Sequence, residues 1–191
     1  ALSLSFEGIR LLHRAPDGWD LVGETPLDVE DLSSVLADMR ADALRLDPSG
    51  LQCKILIPNE QIKFITLETA QTELHDVMGA LENATPYAID ELAIDFDRNG
   101  GRTFIAAVAR ETLQEAEAFA VEHRFHPVSF AAAPAAHPFD GAPHFGATKA
   151  ASELLEPGES VEPEAAAIVI TGVMSAPEGP IADTNATIAV A

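Results

Sequence analysis

Four carboxylates crowd one short stretch, "TPYAIDELAIDFDR", at Asp90, Glu91, Asp95 and Asp97. Acids this close could hold two divalent cations about 4 Å apart and so clamp the attacking and leaving oxygens of a phosphoryl transfer. A two-metal nuclease of that kind needs a matching Asp on its first strand, and "LSLSF" supplies Ser3 and Ser5 instead. The spacing favours a different reading. Leu92, Ile94 and Phe96 alternate with Asp95 and Asp97, the pattern of a half-exposed edge strand with one wet, acidic face. Tyr87, Asp90, Glu91, Asp95 and Asp97 are therefore the candidate interaction surface, and an edge there admits pairing with a partner strand or with a second copy as a homodimer.

Other reactive residue types lead to bland chemistry. "HRFHP" places His123 and His126 three apart, with His137 and His144 downstream, but zinc ligands must converge at about 2.0–2.3 Å and no cysteine lies nearby. Histidines at a helix end, where they complement the dipole, account for the pattern. The single cysteine, Cys53, sits in the apolar run "LQCKILIP" and reads as a buried, inert thiol in a reducing compartment. "NGGR" (Asn99 to Arg102) reads as a hairpin turn, and neither a P-loop nor a dinucleotide fingerprint occurs. No G-x-S-x-G elbow is present, and Ser33-Ser34 lie within a helical pattern. The residues thus nominate no catalytic group, no metal ligand and no cofactor.

Composition restricts the partners. The formal charge is −20, from 31 acidic against 11 basic residues, so the surface repels phosphate backbones and nucleic acid is an unfavourable partner. A charged partner would present Arg and Lys. No apolar run reaches about 18 residues, so this chain does not itself insert in a membrane.

The elements that would position these residues are legible from periodicity. "IRLLHR" and "WDLVGE" flank "APDG", a hairpin signal. Val29, Leu32, Leu36, Met39 and Ala43 form one helical face, with Asp28 as the expected N-cap. "LQCKILIP" and "QIKFITLE", joined by "PNE", read as a second hairpin. A helix through "TAQTELHDVMGALENA" buries Ala70, Leu74, Val77, Met78 and Leu81, with capping chemistry at Thr69. "ELAIDFDR" and "RTFIAAVAR" pair across "NGG". A third helix, burying Leu113, Ala116 and Ala120, and the strand "HPVSFAAA" complete the order. Strands alternating with helices that can cover a sheet give an α/β or α+β layered domain over residues 1–134. Residues 135–191 hold eight acids and one base and are rich in Ala, Pro and Glu. They read as a tail or linker, or as a truncated second lobe, with a short helix at "TKAASELL" and strand candidates at "AAAIVITGV" and "ATIAVA".

With these elements placed, the middle of the chain resembles a known family. Pro58 closing a strand, Pro86-Tyr87 after a helix, Asp90-Glu91, the strand Ile94–Phe96, the apolar Ala106–Val108 and the Phe125–Pro127 turn resemble the cytoplasmic domain of GspL, the inner-membrane platform protein of type II secretion. More distantly they are similar to PilM of type IV pilus assembly. The likeness spans roughly residues 51–134, and its motifs are structural. It implies an actin-like (ribonuclease H-like) fold, a mixed sheet with flanking helices, and a scaffolding role in a bacterial assembly. The implied partner is an assembly ATPase or a membrane-platform protein, and the implied location is cytoplasmic, tethered to the inner membrane through segments outside this chain. Actin-like ATPases carry an Asp on the first strand followed by a Gly-rich phosphate turn. "LSLSFEGIRL" keeps Gly8 and lacks the Asp, which weighs against the alternative of a nucleotide-binding ATPase of the actin/sugar-kinase kind.

Overall fold

The computed structural model describes residues 1–48, 50–82, 84–133, 139 and 141–177. The chain opens with three antiparallel strands, β1 (Leu2–Leu4), β2 (Ile9–Ala15) and β3 (Gly18–Thr25), in which β2 pairs with both neighbours. Helix α1 (Leu32–Leu46) follows, then β4 (Cys53–Leu56), which pairs in parallel with β1. An excursion follows: β5 (Ile62–Leu67), α2 (Leu74–Glu82), β6 (Leu92–Asn99) and β7 (Arg102–Ala109). Helix α3 (Arg110–Glu122) returns the chain to β8 (Pro127–Ala131), parallel to β4. Last come β9 (His144–Ala147), α4 (Ala151–Leu154) and β10 (Ile170–Val173). The strands form a seven-stranded sheet, β10-β3-β2-β1-β4-β8-β9, and a three-stranded sheet, β5-β7-β6. The mixed sheet with flanking helices that the sequence implies is present.

Each flanking layer follows from apolar spacing. Leu36 and Met39 of α1 and Leu113, Ala116 and Ala120 of α3 join Leu2, Ile9, Leu11, Ile55 and Phe130 of the large sheet in the main core. On the opposite face of that sheet, Leu12, Trp19 and Leu56 pack with Ala142 and Ile168 of the C-terminal segment. Residues 141–177 therefore contribute two strands and a covering layer to the same sheet as β1, β2 and β3. Between the small sheet and α2, a third cluster gathers Val77, Leu81, Leu92, Ile105 and Ala107. Strand β7 is buried from Thr103 to Ala109, sending Ala106 and Val108 to the main core and Ile105 and Ala107 to the third cluster. Small alanines on both faces let it lie between two packed layers. The Asn99–Arg102 turn joins β6 to β7 as a hairpin, with φ of +58° at Gly100 and +81° at Gly101, a pair of left-handed residues that glycine adopts without strain.

Three local expectations need correction. First, "LQCKILIP" and "QIKFITLE" are not a hairpin. Ile55, Leu56 and Ile57 are all buried, and β4 already has β1 and β8 on its two edges, so β5 is excluded from pairing with it. Consecutive buried apolar residues mark a central parallel strand, whereas a half-solvated hairpin strand alternates. Pro58 and a single 3-10 turn, Asn59–Gln61, send the chain out to the second sheet. Second, α1 starts at Leu32, capped by Asp31 and not by Asp28. Asp31 accepts from the Ser34 amide (3.0 Å) and hydroxyl (2.6 Å), which hold its carboxyl below the usual range. Third, α2 starts only at Leu74, which is 54% exposed, so Ala70 lies outside the helix and the buried stripe reduces to Val77 and Leu81. Thr72 is withdrawn from helix duty by burial against Thr103, hydroxyl to hydroxyl at 2.7 Å. The strand candidate "ATIAVA" and His137 lie outside the described residues. No helix among the described residues is long and apolar enough to cross a membrane.

Candidate interaction surface

The acidic stretch divides into two parts with different surroundings. Between α2 and β6 the chain turns through Thr85–Glu91. The Glu91 carboxylate accepts the Ala88 amide at 2.8 Å and so closes a single 3-10 turn, Ile89–Glu91. Arg110 at the start of α3 donates to the Asp90 carbonyl at 3.1 Å and ties that turn to the end of β7. Tyr87 is 41% exposed on the same loop, and Asp90 and Glu91 are exposed beside it. A shallow groove of about 250 Å³ runs alongside, floored by Ile62, Leu92, Ala107 and Ala109 and edged by Gln61, Lys63 and Tyr87.

Asp95 and Asp97 lie further along β6, on the strand face opposite Leu92, Ile94 and Phe96 as the alternation predicts. That face is not simply wet. Strand β6 is an edge of the small sheet, and β9 of the large sheet packs against it. The Asp95 carboxylate accepts the His144 amide of β9 at 2.8 Å and the Phe96 amide at 2.9 Å. Burial pushes the Asp95 carboxyl above the ordinary carboxylate range, and these two amides and the neighbouring His144 ring offset only part of the effect. Asp97 is half-buried and accepts the Arg98 amide at 2.7 Å. Arg98 also reaches back to the Thr72 carbonyl. Asp95 thus ties β6 to β9 of the other sheet, and Asp97 bonds the backbone beside it. Among the described residues no group of three or more His, Cys, Asp or Glu side chains is placed to hold a metal ion.

The other candidates are dispersed. The His123 ring lies 4.6 Å from that of Phe119 at the end of α3, and His126 bonds the Leu51 carbonyl at 3.1 Å. His144 sits on β9, where burial, and then the Lys54 charge, hold its ring below the usual pKa. Cys53 is buried and its thiol is pushed up to about 11 by desolvation, as expected of an inert core cysteine.

One cluster escaped the sequence reading. Lys54, with a side chain only 10% exposed, donates to Glu164 Oε1 at 2.5 Å, and Arg14 donates to the same oxygen while stacking 4.6 Å from the Trp19 ring centre. Burial would raise the Glu164 carboxyl, but the Arg14 and Lys54 hydrogen bonds and charges outweigh it and hold the group below its usual range. The signal was the lysine itself. A charge inside "LQCKILIP", a run buried on both faces, has to be paired, yet nothing local points to an acid 110 residues away. A cavity of about 320 Å³ adjoins the cluster, and Ser129 and His13 line it.

No protein-family model matches this chain, and no curated protein matches it. Solved structures similar to it include the following two. One is the PilM–PilN type IV pilus biogenesis complex, 15% identical with a TM-score of 0.44, matched over 70% of this chain and 46% of that one. The other is the cytoplasmic domain of EpsL, an inner-membrane component of the type II secretion system of Vibrio cholerae. It is 11% identical with a TM-score of 0.47, matched over 94% of this chain and 89% of that one. The chain is similar to both. This chain spans less than half the length of the PilM–PilN chain it matches.

Proposed function

We propose that this chain is a non-catalytic interaction module, the cytoplasmic part of a membrane-associated bacterial secretion or pilus assembly, docking a basic protein partner through Tyr87, Asp90 and Glu91. The observation that carries this reading is the turn between β1 and β2. An actin-like ATPase would cradle phosphate there with free backbone amides. In this chain the Ser5 amide donates to the Gly8 carbonyl at 3.0 Å, and the Gly8 amide is taken by the Ser5 hydroxyl at 3.2 Å. The hydroxyl itself donates to the Gly8 carbonyl at 2.9 Å, so the Ser5 and Gly8 amides and the Ser5 hydroxyl are all engaged within the turn. Phe6, 65% exposed, stands on this turn and brings an apolar ring to it. The exposed acids and the aromatic beside the Ile62–Leu92 groove suit a partner that brings Lys or Arg around an apolar anchor. The GspL resemblance supplies the assembly ATPase or a platform protein as that partner.

Titration of the chain with the assembly ATPase tests the reading. Wild type should bind, and Tyr87→Ala and Asp90→Lys should each weaken binding at least tenfold without moving the melting temperature. ATP with Mg²⁺ should leave that temperature unchanged. A ligand present at 100-fold its dissociation constant adds about 2.7 kcal/mol, so a clear upward shift at millimolar ATP would replace this proposal with the ATPase alternative.

A further inference from the structure

The geometry points to a second docking surface, remote in sequence from the Tyr87 loop, that takes a protein partner offering an apolar pocket rimmed by Lys and Arg. Its anchors are Phe6, on the β1–β2 turn, and Leu27, just after β3. They are 65% and 46% exposed, respectively. The two segments that carry them are pressed together. A Cβ at Gly8 would lie 2.3 Å from the Thr25 carbonyl oxygen, so glycine is the only residue that permits this approach. The Ser5–Gly8 hydrogen bonds fix the turn from within. Phe6 is therefore held out on a rigid support, where little ordering entropy is lost on binding. A groove of about 210 Å³ runs between the segments, its walls including Ile9, Thr25 and Pro26.

Charge names the occupant. The segments that carry the two anchors also carry the exposed acids Glu7, Glu24, Asp28, Glu30 and Asp31, with Arg10 an exposed base that pairs with Glu24 at 3.2 Å. A second copy of a chain carrying −20 would bring like charge to these acidic segments, and an anionic lipid surface would be repelled by them. A basic rim is attracted, and an apolar pocket in its middle would receive the Phe6 ring as a buried anchor. The position in the fold agrees. The turn lies at the carboxyl end of β1, beside the carboxyl ends of the parallel strands β4 and β8, the edge at which α/β sheets generally take their ligands.

Site-specific photocrosslinking in the full chain decides the matter. Benzoylphenylalanine replacing Phe6, and in a second protein Leu27, should crosslink in cells to one and the same polypeptide. The modified peptide, read by mass spectrometry, should contain Lys or Arg. The joint change Glu7→Lys and Asp28→Lys should lower the yield at least fivefold, and Phe6→Ser should leave the melting curve of the isolated chain in place. Asp90→Lys should leave the yield at position 6 unchanged, which separates this surface from the Tyr87 face. The proposal is overturned if the crosslinks join two copies of the chain, stay within one chain, reach phospholipid, map to a peptide without basic residues, or do not form.

Discussion

Glu164 and Asp95 are both carboxylates drawn into contact with a distant part of the chain, and the protein holds them in opposite ways. Glu164 meets two cations, Lys54 and Arg14, and its pKa falls despite burial. Asp95 meets only amides, from His144 and Phe96, with a neighbouring imidazole, and its pKa rises. Amide donors orient a charge; in this comparison only full positive charges offset its desolvation. The first contact fastens the C-terminal segment across the large sheet, and the second joins β6 of the small sheet to β9 of the large one. One joint needs its charge and the other is strained by it.

The largest expected effect is at the first joint. Glu164→Leu leaves Lys54 buried without its acid and should destabilise the chain by about 3 kcal/mol in urea unfolding at pH 7. Adding Lys54→Met in the same protein should recover much of that loss, since the lysine then no longer leaves an unpaired charge buried. An unrecovered double variant would mean that Glu164 acts through packing alone. The pH dependence has a fixed sign. With its folded pKa below the ordinary 4.5, Glu164 contributes stability above that value, and the contribution is lost as pH falls through the folded pKa.

A smaller effect of opposite sign belongs to Asp95. Its folded pKa is raised above 3.8, so the native state binds more protons and stability falls as pH rises through the interval between the two values. Asp95→Asn keeps one oxygen to accept the His144 amide, gives up the acceptor of the Phe96 amide and removes the charge. It should leave stability at pH 7 unchanged or raise it by up to about 1 kcal/mol, and it should flatten the acid side of the profile. Asp95→Ala, which removes the acceptor, should cost about 1–2 kcal/mol. If Asn were as damaging as Ala, the charge would be stabilising and the contrast with Glu164 would fail.

The smallest effect is at Cys53, which lies beside Lys54 in β4. Native protein should resist thiol reagents near neutral pH, because the thiol is buried with a pKa of about 11. Urea at the unfolding midpoint should release it. Rapid labelling of native protein would show that the β4 end of the first joint opens readily.

The exposed and half-exposed parts of the candidate site were readable because short-range rules govern them. The alternation along β6 located Asp95 and Asp97 on one face, and Pro86 with Tyr87 marked the loop that displays Asp90 and Glu91. The sequence could not reveal that Asp95 meets His144, because an acid on an edge strand looks the same whether water or a second sheet lies opposite. Phe6 was also passed over, since a single aromatic in a turn acquires meaning only when the close approach of Gly8 to Thr25 brings its turn against the end of β3.

By itself, the sequence determined the strand and helix periods, the β2–β3 and β6–β7 hairpins with their turn residues, the buried thiol and a surface charge that discourages polyanions. These rest on interactions within a few residues. Tertiary structure alone decided that β4 and β5 part into different sheets, that β9 and β10 complete the sheet begun by β1, and that Lys54 and Arg14 share Glu164 across 110 and 150 residues. A local pattern states that a strand has a buried face or a lysine needs an acid, and many partners satisfy it equally. The choice among them is made by which edges are already occupied and which charges would otherwise be left unpaired out of water.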